Sequence, residues 1–149
     1  MLPALAVTVG SLSRRRPDRV ESAVARTICI IDDDAAVRDS LRVLLESHGW
    51  TVADFASTAE FLRRRHDGES GALLILDQHL PGASGLEFLG AHGAGLGLPV
   101  ILITGAGDNN LREQAYRRGV AGYLEKPLTE TKLLDAIARA LEDAADSES

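Results

Sequence analysis

Apolar residues gather in five short runs from residue 27 onward, and amphipathic stretches separate these runs. The first, third and fourth runs are almost continuously apolar, which is typical of central strands in a parallel sheet covered on both faces. The pattern predicts β-strands at Thr27–Ile31, Thr51–Phe55, Ala72–Leu76, Val100–Ile103 and Gly122–Leu124.

The stretches between the strands carry helix signals. Ser57 and Ser84 each stand three residues before a glutamate, as in the capping box that opens a helix. Asp108 can cap a fourth helix, and the last helix runs from about Thr129 to Leu141 with its apolar residues on one side. Five strands alternating with five helices predict an α/β fold, a doubly wound five-stranded parallel sheet.

The predicted organisation is one domain with two tails. Residues 1–26 show no sustained hydrophobic period, and their content of Gly, Ser, Pro and Arg predicts a flexible N-terminal extension. Residues 27–141 carry the alternating pattern, and residues 142–149 form a polar, mostly acidic C-terminal tail. No internal repeat and no second domain is recognisable in the sequence.

Composition and charge limit the kinds of partner and the location that we expect for this protein. The net charge of -6 argues weakly against direct nucleic-acid binding, which rewards a clustered basic face, and the arginine runs 14–16 and 63–65 are interpreted as solvated. No apolar stretch approaches the roughly 20 residues that span a membrane, and we expect a cytoplasmic protein. The single cysteine, Cys29, excludes an internal disulfide and is predicted to be buried.

Ligands of an open parallel sheet bind beyond the carboxyl ends of the strands, so the residues at those ends are informative. Acidic side chains follow two of the predicted strands, and a hydroxyl and an ammonium group follow two others. These residues are Asp32, Asp33 and Asp34 after the first strand, Asp77 after the third, Thr104 after the fourth and Lys126 after the fifth.

This set of groups favours phosphoryl chemistry. Several carboxylates held together repel one another, and a hard divalent cation such as Mg²⁺ resolves the conflict because it prefers oxygen ligands. Lys126 supplies a fixed positive charge and Thr104 a hydrogen-bond donor, both suited to phosphoryl oxygens. The combination is typical of a carboxylate that attacks phosphorus beside a metal ion and charge-stabilising donors.

Each of these residues also has an ordinary interpretation. Asp34 can be only the N-cap of the next helix, Thr104 a loop hydroxyl and Lys126 a surface charge. The agreement of all four strand ends favours the functional interpretation. The glycine-rich run 93–97 precedes a strand instead of opening a helix, so we interpret it as a flexible loop and not as a phosphate-binding loop.

With these residues in order, the sequence from about residue 27 to residue 141 resembles the receiver domains of bacterial two-component response regulators. Its motifs are most similar to those of a subfamily whose longer members end in a helix-turn-helix DNA-binding domain, which this sequence does not contain. The resemblance implies the flavodoxin-like receiver topology. Its landmarks are Ile30-Ile31-Asp32-Asp33-Asp34, Leu76-Asp77, Leu80-Pro81-Gly82-x-Ser84-Gly85, Ile103-Thr104-Gly105 and Glu125-Lys126-Pro127.

The resemblance implies that Asp77 accepts the phosphoryl group and that Mg²⁺ is the cofactor. Asp33 would bind Mg²⁺ directly and Asp32 through water, with further ligands from Asp77 and from the backbone carbonyl of His79. The His79 side chain lies at a position that tunes loss of the phosphoryl group in this family.

The resemblance also implies a switch. Thr104 and Lys126 would bind oxygens of the phosphorylated Asp77, and Tyr123 is the aromatic switch residue, expected to turn inward when Thr104 moves toward the phosphate. A cis peptide is implied before Pro127, where proline lowers the cost of that isomer.

The leading hypothesis is therefore a receiver that takes a phosphoryl group from a sensor histidine kinase or a phosphotransfer protein, without being a turnover enzyme. Its output would be a protein contact: a target, a homodimer through the fourth helix, fifth strand and fifth helix, or phosphate storage. One alternative is a degenerate receiver that acts as a phosphorylation-independent interaction module. Another is a phosphatase with an Asp nucleophile, whose motif Asp32-x-Asp34 begins but Ala36 breaks.

Overall fold

A computed structural model describes residues 26–65 and 71–148. The strands are β1 Thr27–Ile31, β2 Thr51–Phe55, β3 Leu73–Asp77, β4 Val100–Thr104 and β5 Gly122–Glu125. The helices are α1 Ala35–Ser47, α2 Thr58–Arg64, α3 Gly85–Leu96, α4 Asn109–Arg117 and α5 Glu130–Glu148. The predicted extension at residues 1–26 lies outside the described residues, apart from Arg26.

All five strands are parallel, and their order in the sheet is β2-β1-β3-β4-β5. Every residue of β3 and β4 is buried, because these strands are covered on both faces. One apolar cluster contains Phe61, Phe88 and Leu102, and a second contains Leu45, Ile101 and Leu133. The predicted doubly wound α/β fold is confirmed.

The helix starts follow the predicted capping residues. Ser84 and Glu87 form a complete capping box, and Asp108 accepts a hydrogen bond from the backbone N–H of Leu111. At α2, Ser57 accepts from the N–H of Glu60, while the Glu60 carboxylate accepts from the N–H of Ala56 and so caps one residue earlier than a capping box would. Asp34 is the N-cap of α1.

The interpretation of residues 93–97 as a flexible loop is wrong. Residues 93–96 form the last turn of α3, and Gly97 ends it in the left-handed conformation at φ 73°. Buried Leu89 and Leu96 hold this end of the helix against the core. Burial of apolar side chains at helical spacing offsets the low helix propensity of glycine here.

The last helix is also longer than predicted. It continues from Leu141 to Glu148, so the polar tail is helical over most of its length. Glu and Ala are good helix formers, and the polarity of this stretch marks exposure and not a helix end. Within the described ranges, no helix is both long and apolar enough to cross a membrane.

Candidate active site

The sheet brings the carboxyl ends of β1, β3 and β4 side by side. Asp77 ends β3 opposite Ile103 on β4, so Thr104 follows directly on the neighbouring strand. Asp32 follows β1, whose register pairs Ile31 with Leu76. Asp32 and Thr104 are fully buried, and Asp77 is 3% exposed. Three polar side chains are thus buried at one edge of the sheet.

Asp32, Asp33 and Asp77, called the acidic cluster below, each offer a carboxylate oxygen within 4.8 Å of the others. Asp33 is exposed at the mouth of the cluster. Asp32 Oδ1 accepts a hydrogen bond of 2.9 Å from the N–H of Asp34. The sheet and its helices bury Asp32 and Asp77, while Asp33 lies on the solvent-exposed side of the cluster.

Lys126 partly balances the charge of the acidic cluster. Its ammonium lies 3.1 Å from Asp32 Oδ2 and 3.5 Å from Asp77 Oδ1. Burial works against the charge of the ammonium, but the two carboxylates outweigh it and raise the pKa of Lys126. The cis peptide predicted between Lys126 and Pro127 is present.

The charge of Asp77 is not fully compensated. Burial is the main cause that raises the pKa of Asp77, and the charge of Asp32 adds to it, while Lys126 and the His79 backbone act in the opposite sense. Asp77 Oδ1 is buried and makes no hydrogen bond of good geometry, since its Lys126 contact is a long ion pair. Three clustered carboxylates, of which two share the Lys126 ammonium and one has a buried oxygen without a hydrogen bond, fit a divalent cation with oxygen ligands.

Thr104 has two hydrogen-bond partners near the cluster. Its Oγ1 accepts from the N–H of Ala106 at 3.2 Å, and it lies 3.0 Å from Nε2 of His79. The predicted metal ligand of His79 is its backbone carbonyl, and that role stays a prediction. The side chain of His79 instead bridges the loop after β3 to Thr104 on β4.

Tyr123 points inward, with 6% of its surface exposed. Its hydroxyl is buried without a hydrogen bond of good geometry, close to the backbone of Asp108, and burial is the main cause that raises the pKa of Tyr123. A Cβ at position 107 would overlap this hydroxyl, so only glycine leaves room for the inward ring. This inward position is the one that the resemblance predicts for Tyr123 on phosphorylation of Asp77.

Two residues of this region received no role from the sequence. The role of Gly107 depends on where the Tyr123 ring lies, which no local motif indicates. Arg38 contacts the backbone of Asp32 and the side chain of Asp54, and no local motif indicates that pair of contacts. Gly105, which the motif did include, would meet only Lys126 at 4.0 Å if it carried a Cβ.

Comparison with known proteins gives a consistent picture. The family model described as "Response regulator receiver domain" matches residues 28–138. The transcriptional regulatory protein FixJ of Azorhizobium caulinodans is 40% identical over 118 residues, which are 78% of this chain and 56% of FixJ. The C4-dicarboxylate transport transcriptional regulatory protein DctD of Pseudomonas aeruginosa is 40% identical over 116 residues, 77% of this chain and 25% of DctD.

Solved structures agree on the fold. A CheY-like receiver domain protein from Methanospirillum hungatei superposes with a TM-score of 0.73 at 30% identity, covering 82% of this chain and 98% of that one. The structure titled FixJ-N gives 0.69 at 35% identity, covering 78% and 93%. The chain thus spans nearly all of these receiver structures but little more than half of FixJ.

Proposed function

The chain belongs to the response regulator receiver domain family, and on that premise we propose that it is a phospho-accepting receiver whose acceptor is Asp77. One observation carries the proposal: Asp77 is a buried carboxylate with an unbonded oxygen, between two further carboxylates and the Lys126 ammonium. A carboxylate in that setting can act as a nucleophile toward phosphorus, since its neighbours include groups that stabilise charge. Thr104 on the adjacent strand supplies a hydroxyl donor.

The donor we propose is the phosphohistidine of a sensor histidine kinase or a phosphotransfer protein. A carboxylate oxygen of Asp77 attacks the phosphorus, an O–P bond forms and the N–P bond breaks. The imidazole leaves with the electron pair of that bond and takes up a proton from solvent. The product on this chain is an acyl phosphate, which remains on Asp77 until a water molecule hydrolyses it, and we propose that the chain acts as a phosphoacceptor and not as a turnover enzyme.

Asp32, Asp33 and Asp77, with the carbonyl of His79, are the residues that would hold Mg²⁺. Bound there, the ion would neutralise the negative charge that develops on the phosphoryl oxygens. Lys126 contributes a second positive charge that ion pairs with Asp32 and Asp77 already keep in place. Thr104 would donate its hydroxyl hydrogen to another phosphoryl oxygen after its contact with Nε2 of His79 breaks.

The output we propose is a change of the surface formed by α4, β5 and α5. Thr104 connects the acceptor to this surface, because Tyr123 on β5 lies beside the loop that follows Thr104. Movement of Thr104 toward the phosphate alters the space available to the Tyr123 ring and thereby biases a two-state element. The partner expected to bind this surface is a protein target or a second copy of this chain in the cytoplasm, and we expect no direct contact with nucleic acid.

The test is incorporation of one phosphoryl group. The wild-type chain is mixed with Mg²⁺ and a small acyl phosphate donor and its intact mass is followed over time. We expect a gain of one phosphoryl group that depends on Mg²⁺, disappears in D77N and persists in D34N, which removes a neighbouring charge but keeps the helix cap.

A phosphoryl gain that persists in D77N would overturn the assignment of the acceptor. No gain in the wild-type chain, combined with no heat of Mg²⁺ binding in calorimetry, would favour the phosphorylation-independent interaction module instead. Sustained hydrolysis of a phosphate ester would favour the phosphatase.

A further inference from the structure

Asp32 is held at each of its polar groups. Its N–H donates to the carbonyl of Phe55 at 3.1 Å, and its two carboxylate oxygens accept from the N–H of Asp34 and from Lys126. Its carbonyl accepts a hydrogen bond of 2.7 Å from Nη1 of Arg38. The Arg38 contact differs from the others because a charged donor from α1 fixes the backbone that leads to Asp33.

The Arg38 guanidinium is anchored at its other side. Its Nε donates to Asp54 Oδ2 at 3.2 Å, and only 18% of the Arg38 side chain is exposed. The planar guanidinium presents its donors in a rigid fork, so one partner orients the contact with the other. Asp54 lies on β2, and Arg38 therefore connects the edge strand to the backbone of the acidic cluster.

The Asp32 carbonyl belongs to the peptide plane that joins Asp32 to Asp33. Because a peptide unit is rigid, fixing the direction of this carbonyl also fixes the N–H of Asp33 and one of the two planes that flank its Cα. The direction in which the Asp33 carboxylate leaves the backbone follows from that geometry. An exposed metal ligand depends on such outer partners, since its own side chain is not packed.

We propose that Arg38 is a positioning residue, which holds the Asp32–Asp33 peptide in the orientation that lets the acidic cluster bind a divalent cation. The proposal rests on the proposed function, because it assigns a role toward the cation of that site. Arg38 would act through the backbone carbonyl of Asp32 and not as a ligand of the ion. Asp54 is the second member of the device, because it orients the guanidinium.

The chain offers a matched control on the same helix. Arg42 also pairs with Asp54, at 2.5 Å, but its other donor contacts are Val52 O and Glu46, and it makes no contact with Asp32. Arg42→Gln removes the same charge from the same carboxylate without freeing the Asp32 carbonyl. A difference between the Arg38 and Arg42 variants therefore reports on the backbone contact and not on loss of charge.

The experiment measures Mg²⁺ affinity by calorimetry for the wild-type chain, R38Q, R38K and R42Q. We expect R38Q to bind Mg²⁺ about 10-fold more weakly, as is typical when a partner of a metal ligand is lost. R42Q should stay within about 2-fold of the wild type, the range of ordinary surface substitutions. R38K keeps the charge but not the fork, so it should fall between the wild type and R38Q.

A second measurement needs no metal. Hydrogen exchange of the Asp34 N–H, which donates to Asp32 Oδ1, should be several-fold faster in R38Q than in R42Q. Equal Mg²⁺ affinity in the wild type and R38Q, or equal losses in R38Q and R42Q, would overturn the inference. If the wild-type chain binds no Mg²⁺, the proposed function fails, and the exchange comparison still decides whether Arg38 orders this turn.

Discussion

Two aspartates of this sheet stand in opposite electrostatic settings. Asp54, on the edge strand β2, faces two guanidinium groups, those of Arg38 and Arg42, and we call these three residues the arginine network. Burial opposes the charge of Asp54, but the hydrogen bonds from Arg42 and Arg38 outweigh it and lower its pKa. Asp77, at the end of the central strand β3, shares one ammonium with Asp32, and burial raises its pKa.

The difference between the two regions lies in what each leaves unsatisfied. In the arginine network, both oxygens of Asp54 accept hydrogen bonds from guanidinium groups. In the acidic cluster, one oxygen of Asp77 is buried without such a bond. A buried charge without a partner is costly. The arginine network shows that this fold can surround one carboxylate with enough positive charge. The shortage of positive charge at Asp77 therefore indicates a place for an added cation.

The two regions are also connected. Arg38 belongs to the arginine network through Asp54 and reaches the acidic cluster through the carbonyl of Asp32. The balanced region thus supports the backbone of the unbalanced one. A mutation in either region is informative when it changes one charge and leaves the neighbouring contacts intact.

The largest effect is expected from removing the carboxylate that we propose as a direct ligand of Mg²⁺. Asp33→Asn should lower the affinity for Mg²⁺ on the order of 100-fold, because losing such a ligand costs at least as much as losing an outer partner. Asp33 is exposed, so the substitution should leave the fold unchanged. Calorimetric titration with Mg²⁺ measures the loss.

The control for Asp33→Asn is Asp34→Asn. It removes an equal charge one residue away, and asparagine caps the first helix as well as aspartate does, so Asp34→Asn should bind Mg²⁺ nearly like the wild type. Equal weakening in both variants would mean that only the general negative charge attracts the ion. The contrast between a cation site and a balanced network would then lose its basis.

Whether each region could be predicted from the sequence depends on whether the sheet topology alone brings its residues together. Asp32, Asp77, Thr104 and Lys126 could be placed together from sequence, because parallel strands bring their carboxyl ends to one edge. The arginine network could not be predicted, since no rule of sheet topology brings Arg38 and Asp54 together and they meet only through side-chain packing of α1 on β2. A local motif gives no information on such a contact.

The fold shows the same limit. The strand bounds followed from the apolar runs to within a residue or two, because central strands leave a continuous apolar signal. The last turn of α3 was missed, since glycine is read locally as a loop signal while burial of Leu96 decides the outcome. The inward Tyr123 depends on the space above Gly107, which only the packed structure defines.

An intermediate effect is expected from neutralising Asp77 without metal. Asp77→Asn should raise the free energy of unfolding at pH 7 by about 1 kcal/mol, because it removes a buried charge that lacks a full partner. The folded-state pKa of Asp77 is raised, so the native state binds more protons than the unfolded state above the ordinary value of 3.8, and wild-type stability falls as pH rises through the folded pKa. Denaturant unfolding at several pH values measures the difference.

The gain in Asp77→Asn should vanish at low pH, where the wild-type carboxyl is protonated in both states. Saturating Mg²⁺ should shrink it at pH 7, because binding stabilises only the folded wild-type chain. A variant that is less stable than the wild type at pH 7 in the absence of metal would show that Lys126 already compensates Asp77 in full.

The smallest effect, with the opposite sign, is expected at Asp54. Asp54→Asn should lower the free energy of unfolding at pH 7 by less than about 1 kcal/mol, since the side chain is 24% exposed and solvent weakens its ion pairs. The folded-state pKa of Asp54 is lowered, so its stabilising contribution is present above the ordinary value of 3.8 and is lost as pH falls through the folded pKa. The same unfolding series as for Asp77→Asn therefore gives two curves that diverge from the wild type in opposite directions as pH rises.

Added salt should reduce the loss of stability in Asp54→Asn, because the ion pairs of Asp54 are partly exposed. Two variants that shift stability in the same direction at neutral pH would contradict the distinction between a balanced network and an unbalanced cluster.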